Sequence, residues 1–145
     1  MIINTRHTGI VVQDLERAIK FYEGFGMILL ARMVEEGPYI DTLVGLSGTI
    51  LEWAKLRLPD LSLLELLQYH SHPSDGGKDI LQKSNRIGCS HIAFTVLDIE
   101  KTIQYILGNG GSIKNNYQFS PDGKVKVIYC YDPEGNILEI VQEIK

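Results

Sequence analysis

The chain has 145 residues, 44% hydrophobic and 22% charged, which is enough apolar content for a compact core and too much for a disordered segment. Its 14 Lys and Arg against 18 Asp and Glu give a formal charge of -4, and no basic cluster is interleaved with aromatics, so nucleic acid is not an expected partner. Apolar runs such as MILLA after Gly26 fall far short of the roughly 20 residues of a membrane helix, and the opening MIINTRH lacks a signal peptide's apolar stretch, so a cytoplasmic protein with no membrane partner is expected.

The first element in chain order is HTGIVV, from His7, read as a strand. Asp14 follows as a helix N-cap, its carboxylate placed to accept from the first free backbone amides. Leu15, Ala18, Ile19 and Tyr22 then recur at i, i+3, i+4 and i+7, predicting a helix with one apolar face, and Gly24 is its expected C-terminal stop. Extended segments are expected at 27–34, about 48–57 and 62–69, the first two separated by EEGPYIDTLVGLSG, where glycines and a proline interrupt the strand pattern. A polar tract at 70–86, carrying His70 and His72, reads as a linker.

The pattern then starts again. HIAFTV from His91 reads as a strand, Asp98 as an N-cap, Ile99, Ile103 and Ile106 as a helix face, and Gly108 as the stop. Extended segments follow at 112–118, 124–131 and 136–143. In each half the last two form a hairpin, turning at LPDLS in one copy and at the stronger turn sequence DPEGN in the other. Cys89 and Cys130 lie far from any CxxC spacing and read as free, reduced thiols.

Setting residues 7–26 against 91–110 gives identities at His7/His91, Val12/Val96, Asp14/Asp98, Glu16/Glu100, Ile19/Ile103, Gly24/Gly108 and Gly26/Gly110, seven in twenty positions. Setting 59–68 against 133–142 matches Pro59/Pro133, Leu64/Leu138, Glu65/Glu139 and Gln68/Gln142. The offsets, 84 and 74, differ by ten residues, so the first copy carries an insertion between Gly26 and Pro59. Two copies mean a duplicated module and not a solenoid. The expected architecture is α+β, with two tandem βαβββ modules at about 1–69 and 87–145 joined by the 70–86 linker.

Strand alternation puts His7 on a face with Gly9 and Val11, and His91 on a face with Ala93 and Thr95, small residues of the kind that line a cavity. Glu65 shares its face with Leu63 and Leu67, and Glu139 with Ile137 and Val141. A carboxylate on an apolar face is costly unless it is neutralised, hydrogen-bonded or bound to a cation. A lone strand histidine is more often a core residue, and a lone inward Glu more often meets an Arg such as Arg6 or Arg57. Recurrence in both copies favours metal: His7, Glu65, His91 and Glu139 are expected to bind one divalent ion, one His and one Glu from each module. Imidazole with carboxylate suits Ni, Co, Zn or Mn. Such an ion accepts two adjacent substrate oxygens, and Glu139 or Glu65 would be the base that moves a carbon-bound proton. Asp41 and Glu36, in or beside the insertion, are weaker candidates for substrate contact.

The pattern H-x6-D-[LI]-E before an amphipathic helix, with FYEGFGM, DPEGN and LEIV, resembles the vicinal oxygen chelate (glyoxalase/bleomycin resistance/dioxygenase) superfamily over essentially the whole chain. The resemblance implies a single domain over 1–145, with a curved, half-barrel-like mixed sheet around the metal, a homodimer, and a small-molecule substrate. The opening HTGIVVQDLERAIKFYEGFGMILL is similar to the glyoxalase I (lactoylglutathione lyase) branch, whose His/Glu/His/Glu set the quartet matches. LELLQYHSHPSDGG and IGCSHIAFTV are similar to the methylmalonyl-CoA epimerase branch, and the segment from Tyr22 to Gly26 is one residue shorter than the usual FYxxxLGM. Glu65 argues against the fosfomycin-modifying and extradiol dioxygenase branches, with their three-ligand His/His/Glu set. The resemblance therefore implies a metal-dependent isomerisation of a hemithioacetal of the lactoylglutathione lyase kind. The alternatives are epimerisation of an acyl-CoA thioester, with Glu36 or Asp41 as a second acid opposite Glu139, and a binding protein of the same fold. An 8% aromatic content and the retained quartet speak against the last.

Overall fold

The computed structural model describes residues 1–74 and 81–144, so the middle of the expected linker, 75–80, lies outside the described residues. The chain divides into two compact units, Met1–Asp75 and Gly76–Lys145. Each is a βαβββ module with a mixed sheet, the α+β class read from the sequence.

The first unit runs β1 (Thr8–Val11), α1 (Leu15–Gly24), β2 (Ile28–Glu36), α2 (Pro38–Val44), β3 (Ile50–Arg57) and β4 (Leu63–Tyr69). Its strand order is β1-β4-β3-β2, with β1 parallel to β4 and the other pairs antiparallel. Helix α1 buries Leu15, Ala18, Ile19, Phe21 and Tyr22 and packs on β3 and β4, whose Ala54, Leu56, Leu64 and Leu66 point toward it and are excluded from solvent. Each fully buried Leu or Ile contributes about 1.5–3 kcal/mol. The opposite face carries Gly9, Val11, Glu65 and Lys55 and stays open.

The second unit runs β5 (Ile92–Thr95), α3 (Ile99–Gly108), β6 (Ser112–Ile113), β7 (Gln118–Phe119), β8 (Val125–Tyr131) and β9 (Ile137–Glu143). The order β5-β9-β8-β6 repeats the first sheet, with β5 parallel to β9 and β7 also pairing β8. Its helix covers Ile128, Cys130, Leu138 and Ile140. The expected strand at 112–118 is broken in two, because Asn115 and Asn116 favour a turn over a ladder.

Two further expectations are corrected. Helices α1 and α3 include Gly24 and Gly108 as their last residues, and the chain reverses at Gly26 (φ +93) and Gly110 (φ +87), where only glycine sits without strain. The insertion in the first copy contains α2. The proline and glycines that read as interruptions are its boundaries: Pro38 at the first turn, where a missing N–H costs nothing, and Gly45 at the left-handed C-terminal position. Among the described residues no helix is long and apolar enough to cross a membrane.

The helices are fixed to their sheets by one device used twice. The Leu15 N–H donates to Gln68 Oε1 at 2.8 Å, and the Ile99 N–H donates to Gln142 Oε1 at 2.8 Å. Two residues along, the Arg17 N–H donates to Asp14 Oδ1 at 2.9 Å and the Lys101 N–H to Asp98 Oδ1 at 3.0 Å. An unpaired amide at a helix start is thus met once by the cap and once by the last strand, which ties the helix origin to a fixed point on the sheet. Replacing Gln142 with Ala strands the amide of the fully buried Ile99 and is expected to cost about 1–3 kcal/mol. Urea unfolding followed by circular dichroism measures this, and a cost below about 0.3 kcal/mol, within the spread of ordinary surface substitutions, would show that the glutamine does not pin the helix.

Candidate metal centre

His7 stands two residues before Gly9, and the parallel register sets Gly9 beside Glu65. Residues two apart on a strand share a face, so the imidazole meets the carboxylate on the open side of the sheet. His7 Nε2 lies 2.9 Å from Glu65 Oε2, and the carboxylate is largely shielded, at 12% exposure. The second oxygen, Oε1, accepts from Lys55 Nζ at 3.3 Å; this ammonium comes from the residue opposite Glu65 on β3 and also lies 4.4 Å from the Trp53 ring centre. His7 Nδ1 is buried with no hydrogen-bond partner among the described residues.

The second unit repeats the pair with different support. Ala93 lies beside Glu139, and His91 Nε2 is 2.8 Å from Glu139 Oε2. Opposite Glu139 on β8 is Tyr129, where the first unit has Lys55. The Tyr129 hydroxyl is 3.3 Å from His91 Nδ1, and Ser90 Oγ is 2.9 Å from the same nitrogen. A hydroxyl can donate or accept, so these two hold the ring in either tautomer and fix its orientation as the outer partners of metal-bound imidazoles do. Burial, and then the charge of Glu139, raises the Tyr129 phenol above its ordinary value, so it stays protonated at neutral pH.

The structure thus joins His7 to Glu65 and His91 to Glu139. Among the described residues no three His, Cys, Asp or Glu side chains are gathered as a metal cluster. Each pair fits half of such a centre. In each pair a ring nitrogen and a carboxylate oxygen, two donor types of such a centre, stand on the open face 2.9 and 2.8 Å apart. Mixed imidazole and carboxylate donors suit a borderline divalent ion.

Sequence reasoning gave Tyr129 and Ser90 no role, and Lys55 only a place among scattered cations that could contribute to substrate binding. The signal was present for two of them: Lys55 and Tyr129 each stand ten residues before the paired Glu, the length of one hairpin. Comparing unlike residues at matched positions would have found them.

The family model of the glyoxalase/bleomycin resistance protein/dioxygenase superfamily matches residues 5–140. A lactoylglutathione lyase from Schizosaccharomyces pombe is 31% identical over 143 residues, covering 94% of this chain and 46% of that protein, so the chain spans less than half of this relative's length. Among solved structures, a glyoxalase family protein from Bacillus cereus matches with a TM-score of 0.89 at 24% identity, over 100% of this chain and 97% of that one. A fosfomycin resistance protein from Listeria monocytogenes, complexed with Mn(II) and sulfate, matches at 0.65 and 16% identity, over 99% and 95%. The chain belongs to the glyoxalase/bleomycin resistance protein/dioxygenase superfamily, as its motifs imply.

The remaining candidates stand elsewhere. His70 Nε2 lies 2.9 Å from Glu52 Oε2, and His72 Nδ1 lies 2.8 Å from Ser71 Oγ. Cys89 is exposed, while Cys130 is buried on the helix-facing side with its thiol pushed up to about 12, chiefly by desolvation. Glu36 closes β2, exposed. Asp41 accepts from the Gly48 N–H at 2.9 Å and the Thr49 N–H at 2.7 Å, closing the loop between α2 and β3. Those two backbone donors hold its pKa below the ordinary 3.8. A depressed carboxylate pKa stabilises the fold above the unfolded value, and the contribution is lost as pH falls through the folded one. Asp41→Asn should therefore melt lower than wild type at pH 7, with the gap closing as pH falls below roughly 4. Scanning calorimetry across pH 2–7 checks this; a gap independent of pH would remove the electrostatic account of the loop.

Proposed function

We propose that the protein is a divalent-metal-dependent enzyme of the glyoxalase I type, with His7, Glu65, His91 and Glu139 as the ligands of one ion, supplied within one chain or across a homodimer. The observation that carries this reading is the repetition of a His–Glu pair at 2.9 and 2.8 Å on the open face of both modules. The 31% identity to a lactoylglutathione lyase supports the choice of reaction.

The ion, when bound, acts as a Lewis acid toward two adjacent substrate oxygens and makes the neighbouring C–H more acidic. His7 and His91 would hold it through their ring nitrogens, the second ring steadied by Ser90 and Tyr129. Glu65 is restrained at its other oxygen by Lys55 and serves as a fixed ligand. Glu139 Oε2 faces His91, and its Oε1 has no partner among the described residues. That free oxygen takes the proton from one carbon of a hemithioacetal and returns it to the next, while the hydroxyl proton passes from the first oxygen to the second, so the hydroxy-thioether carbon becomes a thioester carbonyl and the ketone an alcohol.

Epimerisation of an acyl-CoA returns the proton to the same carbon from the opposite side and calls for a second acid. Asp41 is engaged by two backbone amides and Glu36 stands at a strand end, so isomerisation is the better-supported reaction.

Wild-type protein loaded with Zn(II) and dialysed is expected to retain about one ion per chain, and His91→Ala to lose it, read by elemental analysis. Side-by-side assay of methylglyoxal with glutathione against methylmalonyl-CoA is expected to give turnover on the first, lowered about 10²–10⁴-fold in Glu139→Gln and little changed in Asp41→Asn beyond its stability effect. Turnover confined to the CoA thioester would replace this reading with the epimerase, and unaltered zinc content in His91→Ala would remove the quartet.

A further inference from the structure

Helices α1 and α3 end on matching turns built from different residues. In the first unit Phe25 follows the helix with its ring 5.3 Å from that of Phe21, and the Gly26 N–H donates to Glu23 O at 2.9 Å. In the second unit the matching residue is Asn109, exposed, whose Nδ2 donates to Tyr105 O at 2.8 Å. Here the next amide, the Gly110 N–H, donates to no acceptor among the described residues. The chain then closes tightly. The Gly111 N–H donates to Ile106 O at 2.9 Å, and a Cβ on Gly111 would lie 2.5 Å from Tyr131 O and 2.6 Å from Ile106 Cγ2. Ser112 and Ile113 follow at once as β6, paired with Tyr131 and Cys130 at the edge of the sheet.

An asparagine carboxamide is open to attack by the backbone nitrogen that follows it, and a glycine there presents that nitrogen without a Cβ to shield it. Asn109–Gly110 is the one such step in the sequence: Asn4, Asn85, Asn115, Asn116 and Asn136 precede Thr5, Arg86, Asn116, Tyr117 and Ile137. Attack requires the carboxamide to leave Tyr105 O, an exposed hydrogen bond of small net worth at a helix end, where the last turn frays most readily. The first unit has no counterpart, because Phe25 carries no carboxamide and the Gly26 nitrogen is engaged.

We propose that Asn109 is a site of spontaneous deamidation, and that its isoaspartyl product releases β6 from the second sheet. The Gly110 nitrogen loses its proton to solvent and bonds to Asn109 Cγ; the Cγ–Nδ2 bond breaks and ammonia leaves, giving a cyclic succinimide. Water then opens the ring. Cleavage of the new bond to Cγ yields aspartate, and cleavage of the original bond to the main-chain carbonyl carbon yields isoaspartate, in which the chain runs through the side-chain carbons. No oxidant or reductant is needed. The two products load the turn differently. Isoaspartate lengthens the main chain by one carbon between a helix end and Gly111, which is pinned against Tyr131 O and Ile106 with no room to absorb it. Aspartate keeps the chain length, loses only the donor to Tyr105 O, and sets a negative charge at a helix C-terminus, where it is mildly unfavourable.

The test is to age the full chain in mildly alkaline buffer and follow each asparagine by peptide mass mapping, with isoaspartate marked by enzymatic carboxyl methylation. Conversion at Asn109 is expected to run about tenfold faster than at Asn115 or Asn116, whose following nitrogens carry side chains. Asn109→Gln, which would have to close a larger ring, should show no methylation in the peptide that holds residue 109. Asn109 left intact after Asn115 has converted, or conversion in a free peptide of residues 105–113 but not in the folded chain, would overturn the site. Hydrogen exchange on the separated products tests the consequence. Amides across β6 are expected to exchange at least about tenfold faster in the isoaspartyl protein than in the unaged one, and at near wild-type rates in Asn109→Asp. Unchanged exchange in the isoaspartyl protein, or equal acceleration in Asn109→Asp, would overturn the release of β6.

Discussion

Everything at the candidate centre depends on a parallel pairing between the first and last strands of each module. β1 lies beside β4 and β5 beside β9, with Gly9 opposite Glu65 and Ala93 opposite Glu139. Because strand side chains alternate, a slip of one residue in that register would turn His7 or His91 away from its carboxylate and expose the leucines that now pack on the helix. Parallel neighbours cannot be joined by a tight turn, and here two helices and two strands intervene in the first module, one helix and three strands in the second. The register must therefore be held by more than connection. It is held by Gln68 and Gln142, which sit on the paired last strands and grip the helix that leaves the first, and by the Val12 and Val96 N–H groups, each donating to the last strand at 2.8 Å.

Much of this was legible in the sequence because the duplication prints each requirement twice. Asp14 and Asp98 cap helices as their spacing predicts, His and Glu meet as the shared face predicts, and the Gln68/Gln142 identity, unexplained by periodicity, is the helix lock. Glu16 and Glu100 likewise recur because each meets a sheet cation, Arg32 in one module and Lys126 in the other. What stayed hidden lies where the copies differ. Periodicity has no template for a seven-residue helix bounded by Pro38 and Gly45, and the glycine that turns the chain is separated from the one that ends the helix by a single residue. Lys55 and Tyr129 share no chemistry, so identity counting passed over them.

The differing residues set the electrostatics of the two halves. In the first module Arg32 bridges Glu16 and Glu52, and Glu52 also meets His70, so that the guanidinium and the imidazole hold the Glu52 carboxyl below its usual range. In the second, Lys126 occupies the position matching Glu52 and meets Glu100 directly, with Tyr117 beside it at 5.0 Å. Both networks lie on the helix side and leave the open faces to the His–Glu pairs. On those faces the first module sets a lysine beside its acid and the second a tyrosine.

Each module carries one imidazole and one carboxylate side by side on its open face, a pattern that a duplicated module supplies twice in one chain. Fusion adds freedom from symmetry. Once the copies are covalently distinct, a residue that serves one half need not appear in the other, and a lysine on β3 can become a tyrosine on β8 without being forced on both. Positions 55 and 129 show that freedom at the residue opposite each paired carboxylate.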